Sequence, residues 1–174
     1  MKPMRLVPLL GAAVLAACVA ETPRPPAPQL RPAPRPPVQA PPPPAPEWQD
    51  LPLTPGAWSY DETGAGSQAR FGPEGAEPGF VVRCDKARGE ISLSRQGIAT
   101  GNTMTVRTSF GARTLPLSIE AGATFVFAAI PATDSLLDNL AFSRGRFTVD
   151  VPGTATLVIP AWPEPARVIE DCRG

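Results

Sequence analysis

Any chemistry in this chain is done without histidine, since none of its 174 residues is one. That excludes Ser-His-Asp and Cys-His nucleophile pairs and every imidazole metal site. Beyond Lys2 the single lysine is Lys86, and no SxxK spacing makes it the base for a serine. Ser67, in Gly64-Ala65-Gly66-Ser67, lacks the flanking pattern of a nucleophile elbow, and its glycines read as a turn. Two carboxylates alone suffice for glycoside hydrolysis. Asp85, Glu90, Asp134, Asp138, Asp150, Glu164, Glu170 and Asp171 form the pool, and nothing in the sequence pairs any two of them. No phosphate loop, EF-hand or CxxC motif occurs, so no metal site, cofactor or redox activity is expected, and the chain is not expected to be an enzyme.

Two clusters offer binding rather than catalysis. Phe142-Ser143-Arg144-Gly145-Arg146-Phe147 sets two arginines about a glycine. Forked guanidinium donors in such a turn suit a carboxylate or phosphate. The competing reading is a helix end whose arginines pair with nearby acids. In Pro160-Ala161-Trp162-Pro163-Glu164-Pro165, Trp162 is either an exposed aromatic anchor or a cover over one end of the core. Arg144, Arg146 and Trp162 are therefore the candidate ligand-binding residues.

The third reactive group is Cys18. It follows Leu15-Ala16-Ala17, after a basic flank with Lys2 and Arg5 and an apolar stretch from Leu6 to Val14. A charged start, a short apolar core and small residues before a cleavage point form an export signal. The stretch is shorter than the roughly 20 residues needed to span a bilayer. With the cysteine in place, Leu15-Ala16-Ala17-Cys18 resembles the signal of bacterial lipoproteins. The resemblance implies cleavage before Cys18, lipid on its thiol, residues 1–17 as a removed signal and a mature chain held to a membrane. Several acyl chains on one residue give stable anchoring where a single chain does not. Val19, where Asp would favour inner-membrane retention in such proteins, implies the periplasmic face of the outer membrane. A plain secretory signal with Cys18 as a bystander is the alternative.

Residues 18–55 read as a tether. Fifteen of the 25 prolines lie between Pro23 and Pro55, with Pro41-Pro42-Pro43-Pro44 in succession. Proline fixes φ, lacks a donor and holds its predecessor extended, so the segment favours polyproline II and acts as a semi-rigid spacer. Arg24, Arg31 and Arg35 give it a weak positive charge that either meets anionic polymer or merely solvates it.

The remaining segment, residues 56–174, has the length of one domain. Its 11 Arg and Lys against 13 Asp and Glu argue against a nucleic-acid surface. Short β-prone runs recur about every ten residues between Gly or Pro signals: Trp58–Tyr60, Phe80–Cys84, Ile91–Ser94, Met104–Thr108, Leu115–Ile119, Thr124–Ala129, Phe147–Val151 and Thr156–Ile159. That spacing predicts a mainly β fold, an antiparallel sandwich or small barrel. Two short helices interrupt it. Asp134-Ser135 caps the first, which carries Leu136, Leu137, Leu140 and Ala141 on one face and stops near Gly145. The second runs from Pro163 to Cys172. Cys84 and Cys172, left as an even pair in an oxidising compartment, are expected to form a disulfide.

From Asp134 to Cys172 the order of helix, arginine-glycine turn, hairpin and final helix resembles small lipoproteins of alphaproteobacteria. It is also similar to the C-terminal part of the invasion-associated locus B family of small periplasmic β-rich proteins. The likeness spans about forty residues, and the chain departs from that family in its proline tether and cysteine placement, so no functional residue is transferred. Together these features predict an outer-membrane lipoprotein that presents a β-rich interaction domain to an envelope protein or to peptidoglycan. A two-carboxylate hydrolase of envelope polymers and an inhibitor of a lysozyme or protease are the alternatives.

Overall fold

The computed structural model describes residues 47–120 and 122–174. Cys18, the signal and most of the tether therefore lie outside the described residues.

Alternation of apolar and polar side chains builds ten strands into two antiparallel sheets. The larger sheet runs β1 (Ala57–Thr63), β2 (Gly66–Gly72), β3 (Phe80–Asp85), β4 (Glu90–Gln96), β8 (Phe125–Pro131) and β7 (Ser118–Ile119) in spatial order. The smaller runs β10 (Leu157–Pro160), β9 (Arg146–Asp150), β5 (Thr103–Thr108) and β6 (Gly111–Pro116). The fold is thus mainly β with two short helices, α1 (Ser135–Ala141) and α2 (Pro163–Arg173).

Because successive side chains face opposite sides of a strand, most strands bury one row; β9 and β10 bury residues of both rows, Thr148 and Val158 included, and β7 buries none. The larger sheet contributes Phe71, Phe80, Val82, Ile91, Leu93, Val126 and Ala128; the smaller contributes Met104, Val106, Phe147, Val149 and Ile159, all in one cluster. Face-to-face packing of the two inner rows makes a sandwich. Phe80 meets Phe147 edge-on across the interface, with ring centroids 6.1 Å apart. Trp58 closes the side where β1 nears β10: its ring lies 6.5 Å from Phe147, and its indole N–H donates to the Pro160 carbonyl at 2.9 Å. A buried indole needs such a partner for its donor.

The smaller sheet does not cover the whole inner face of the larger one; α2 packs on β2 and β3, and α1 packs on α2. Pro165, Val168 and Ile169 of α2, at the i, i+3 and i+4 spacing of one helical face, are buried there with Leu136, Leu137 and Leu140 of α1. The Cys84–Cys172 disulfide, with Cα atoms 5.5 Å apart, fixes the end of α2 to β3. Gly66 makes room beside it: a Cβ there would lie 2.3 Å from the Cys84 carbonyl oxygen. Among the described residues no helix is long and apolar enough to cross a membrane.

Two strands depart from the sequence expectation. Gly66–Gly72, whose first residues read as part of a turn, is β2, paired with both β1 and β3. Leu115–Ile119, expected as one strand, is divided. Pro116 ends β6, Leu117 donates its N–H to the Asn102 carbonyl at 2.8 Å, and β7 then joins the other sheet.

Contacts also begin before residue 56, inside the segment read as tether. A 3-10 turn covers Trp48–Asp50. The Arg146 guanidinium donates to the Leu51 carbonyl at 2.6 Å. Thr54 exchanges two bonds with Val158, N–H to carbonyl and N–H to hydroxyl, both 2.9 Å. These bonds occupy backbone groups on β10, the edge of the smaller sheet, which would otherwise offer an unpaired strand.

Candidate functional site

The turn between α1 and β9 is held rigidly from both sides. Gly145 has φ +75°, a left-handed conformation that glycine adopts without penalty. Ser143 is buried; its hydroxyl donates to the Arg146 carbonyl at 2.6 Å and accepts from the Ser109 N–H at 3.1 Å. Ser109 answers by accepting the Arg144 N–H at 3.0 Å, which ties the turn to the β5–β6 hairpin tip. On the other side the Ala161 N–H donates to the Gly145 carbonyl at 3.1 Å, continuing the β9–β10 ladder by one step. Three loops, around residues 110, 144 and 162, are thereby brought together.

What these loops display is aromatic and cationic. Phe142 is 70% exposed, Phe110 55% and Trp162 45%. They are the large aromatics exposed among the described residues. Arg144 is exposed beside them and has no acid within 4.0 Å among the described residues. Arg113 and Asp134 border the patch as a closed pair. The guanidinium donates twice to the carboxylate, at 2.5 and 2.8 Å, while Asp134 also accepts the Leu136 N–H at 2.8 Å and so caps α1. The hydrogen bond from Arg113 holds the Asp134 carboxyl below its ordinary range.

Of the three sequence-derived residues, Arg144 and Trp162 are both exposed on these adjoining loops. Arg146 does something else: it is half-buried, and its guanidinium is turned to Leu51. The two phenylalanines of the turn also divide. Phe147 is fully buried, whereas Phe142, the residue capping the end of α1, is solvent-facing. Phe110 escaped the sequence reading. Its signal was an apolar residue at a hairpin tip, Ser109-Phe110-Gly111, where nothing in the strand pattern requires one.

No protein-family model, curated protein or solved structure matches the chain. Its chemistry therefore rests on geometry alone.

A second polar cluster lies at the other end of α2. The Tyr60 hydroxyl donates to Asp171 Oδ2 at 2.6 Å and lies 3.2 Å from Glu62 Oε1. The Arg167 guanidinium stacks 4.0 Å above the Tyr60 ring and bridges to Glu62 at 3.3 Å. Two carboxylates thus flank one phenol, but the group is closed upon itself. The Tyr60 bond holds Asp171 below the ordinary carboxylate range and pushes the phenol upward. Both shifts keep the proton on tyrosine, opposite to what a carboxyl acid or an activated phenolate needs near neutrality. The cluster clamps α2 onto the β1–β2 hairpin. Ser67, beneath it, is buried on the inner face of β2, whereas Lys86 is exposed in the β3–β4 turn.

Three further acids of the pool are engaged as well, whereas Glu90, Glu164 and Glu170 make no side-chain hydrogen bond or ion pair among the described residues, and Glu164 Oε2 is buried. Asp138 takes Arg173 at 2.7 Å, Asp85 takes Arg88 at 3.6 Å, and Asp150 accepts from the Thr156 hydroxyl at 2.5 Å. Among the described residues no three His, Cys, Asp or Glu side chains converge as a metal site. The buried Arg95 serves the scaffold, donating to the carbonyls of Gly79, Gln96 and Ala155. Burial lowers its pKa from the ordinary arginine value.

Proposed function

We propose that this chain is a lipid-anchored protein of the bacterial envelope, tethered through Cys18 at the periplasmic face of the outer membrane. Its sandwich binds an envelope partner through the patch formed by Phe110, Phe142, Arg144 and Trp162. The single observation that carries this reading is that exposed aromatics, and an arginine with no acid within 4.0 Å among the described residues, stand on adjoining loops pinned by side-chain and backbone hydrogen bonds. Clustered exposed apolar side chains mark interaction sites. Trp and Arg dominate binding hot spots because they combine large contact area with directed donors. Pre-ordering the loops lowers the entropy lost on binding. A protein partner fits this composition best.

A hydrolase reading finds no comparable support, since Asp171 and Glu62, the two carboxylates that flank one phenol, are occupied by Tyr60 and Arg167. The anchor is tested by fractionation. Cys18→Ser protein should leave the membrane fraction or persist as uncleaved precursor; mature Cys18→Ser protein still bound to outer membranes would refute it. The contact surface is tested by crosslinking from the patch in intact envelopes, with an exposed residue outside it as control.

A further inference from the structure

β6 ends the smaller sheet, with β5 on one side and no strand on the other among the described residues. Register decides which of its backbone groups face outward. At the opposite edge Val158 turns both its N–H and its carbonyl away from the sheet, to Thr54. Val158 lies opposite Thr148, Thr148 opposite Arg107, and Arg107 opposite Ala112. Opposed pairs in an antiparallel ladder alternate between exchanging both bonds and exchanging none. Thr148 and Arg107 therefore bond each other, and Ala112 faces away from β5. Thr114, two residues on, does the same. The N–H and C=O groups of Ala112 and Thr114 have no hydrogen-bond partner among the described residues, and both residues are exposed.

We infer that β6 takes up an extended segment of a partner protein as a further strand of the smaller sheet. The inference rests on the reading of the Phe110–Trp162 patch as the contact surface and adds the form in which the partner binds. Donors and acceptors alternating along an open edge are complementary to another extended backbone. The other edges are closed, short or charged. Thr54 occupies β10, β7 has two residues, and β1 carries Asp61 and Glu62, and charges on an edge turn added strands away. The one charge on β6, Arg113, is neutralised by Asp134. Between β6 and α1 lies a groove of about 180 Å³, lined by Phe110, Arg113, Ser135, Leu136 and Asn139. Every second side chain of an added strand would project toward it. Phe110 favours an apolar residue there. Arg144, whose N–H is bonded to Ser109 next to Phe110, favours an acid beyond the hairpin tip. The β6 of a second copy does not meet these demands. On its inner row it carries Arg113, already paired, and Leu115, buried in its own core.

The test pans the intact protein, in detergent, against a phage-displayed library of random linear peptides. Enriched peptides should share an apolar residue and an acid. Synthetic copies should lose affinity about tenfold or more when one alternate set of backbone nitrogens is methylated, and keep it when the other set is. Thr114→Pro should cause a similar loss. Its N–H points away from β5, so the ladder is kept, and Pro116 already stands in an equivalent place. Thr114→Val, which keeps the backbone donor, should bind as the wild type does. Peptide methylation carries the test if Thr114→Pro fails to fold. The inference is overturned if no peptide is enriched, if both methylated sets bind equally well, if folded Thr114→Pro binds as the wild type does, or if the wild type is a dimer that Thr114→Pro dissociates. A protein adduct crosslinked from the patch in intact envelopes that survives Thr114→Pro overturns strand addition and leaves the patch reading standing.

Discussion

The backbone N–H of Ala161 donates to the carbonyl of Gly145 at 3.1 Å, and this bond joins the loop that carries Trp162 to the turn that carries Arg144. It continues the β9–β10 ladder past the Arg146–Pro160 pair. The two segments that sequence alone marked as binding candidates, the arginine turn and the Trp162 loop, thereby form one surface.

The disulfide fastens the end of α2 over the open half of the sandwich. It closes a loop with a sequence separation of 88. Cys172→Ala should therefore lower unfolding stability by roughly 2–5 kcal/mol, the usual cost of losing a native bridge from a small secreted domain. Chemical denaturation of both proteins without reductant measures it. Equal midpoints would show that Tyr60, Arg167 and Arg173 hold α2 unaided.

Acid should destabilise the domain. Asp134 and Asp171 have folded-state pKa values below the ordinary carboxylate value of 3.8. A depressed folded pKa contributes stability that is full above the unfolded pKa and is lost as pH falls through the folded one. Melting temperature should thus be level from about pH 5 to 7 and fall below about pH 4. Asp134→Ala should cost about 1–2 kcal/mol at neutral pH through loss of the α1 cap, its half-exposed partner Arg113 adding little because of solvent screening. The same variant should show a shallower acid dependence. An unchanged slope would mean that other carboxylates control acid unfolding.

The segment before β1 should contribute to stability although its composition is that of a tether. Thr54 and Leu51 supply three hydrogen bonds to β9 and β10, each worth about 0.5–1.5 kcal/mol. Removing residues 1–55 should lower stability by about 1–3 kcal/mol relative to removing residues 1–46. Differential scanning calorimetry of the two truncations decides it, and coincident transitions would show that these bonds are neutral exchanges with water.

How legible this was in the sequence depended on which signal each element carried. β4, β5 and β9 alternate large apolar residues with polar ones, so their strand period could be read directly, and β3 showed as the β-prone run Phe80-Val81-Val82 after Pro78-Gly79. In β2 the inward residues are Ser67, Ala69 and Phe71, two of them small, and the opening glycine imitates a turn. In β6 only Leu115 is buried, because an edge strand with one covered residue has no apolar period to show. The helix cap at Asp134 and the disulfide partners followed from local chemistry. The union of the arginine turn with Trp162 did not. It depends on the register of a hairpin whose connection, Val151–Thr156, is longer than a two-residue turn and leaves register open. Arg146 was misleading because its partner is a backbone carbonyl in the proline-rich segment, and a carbonyl carries no signature in sequence.

The most direct test of the account is site-specific photocrosslinking in intact envelopes, with a photoreactive residue placed at Phe142 and, as control, at Ile98. Both side chains are highly exposed, 70% and 81%, but Ile98 lies on the β4–β5 loop and outside the patch. The account predicts a discrete protein adduct from position 142, none from position 98, and loss of the adduct when Arg144→Ala and Trp162→Ala are combined with it. No adduct at position 142, or the same adduct from both positions, would contradict the claim that this patch is the surface through which the protein acts.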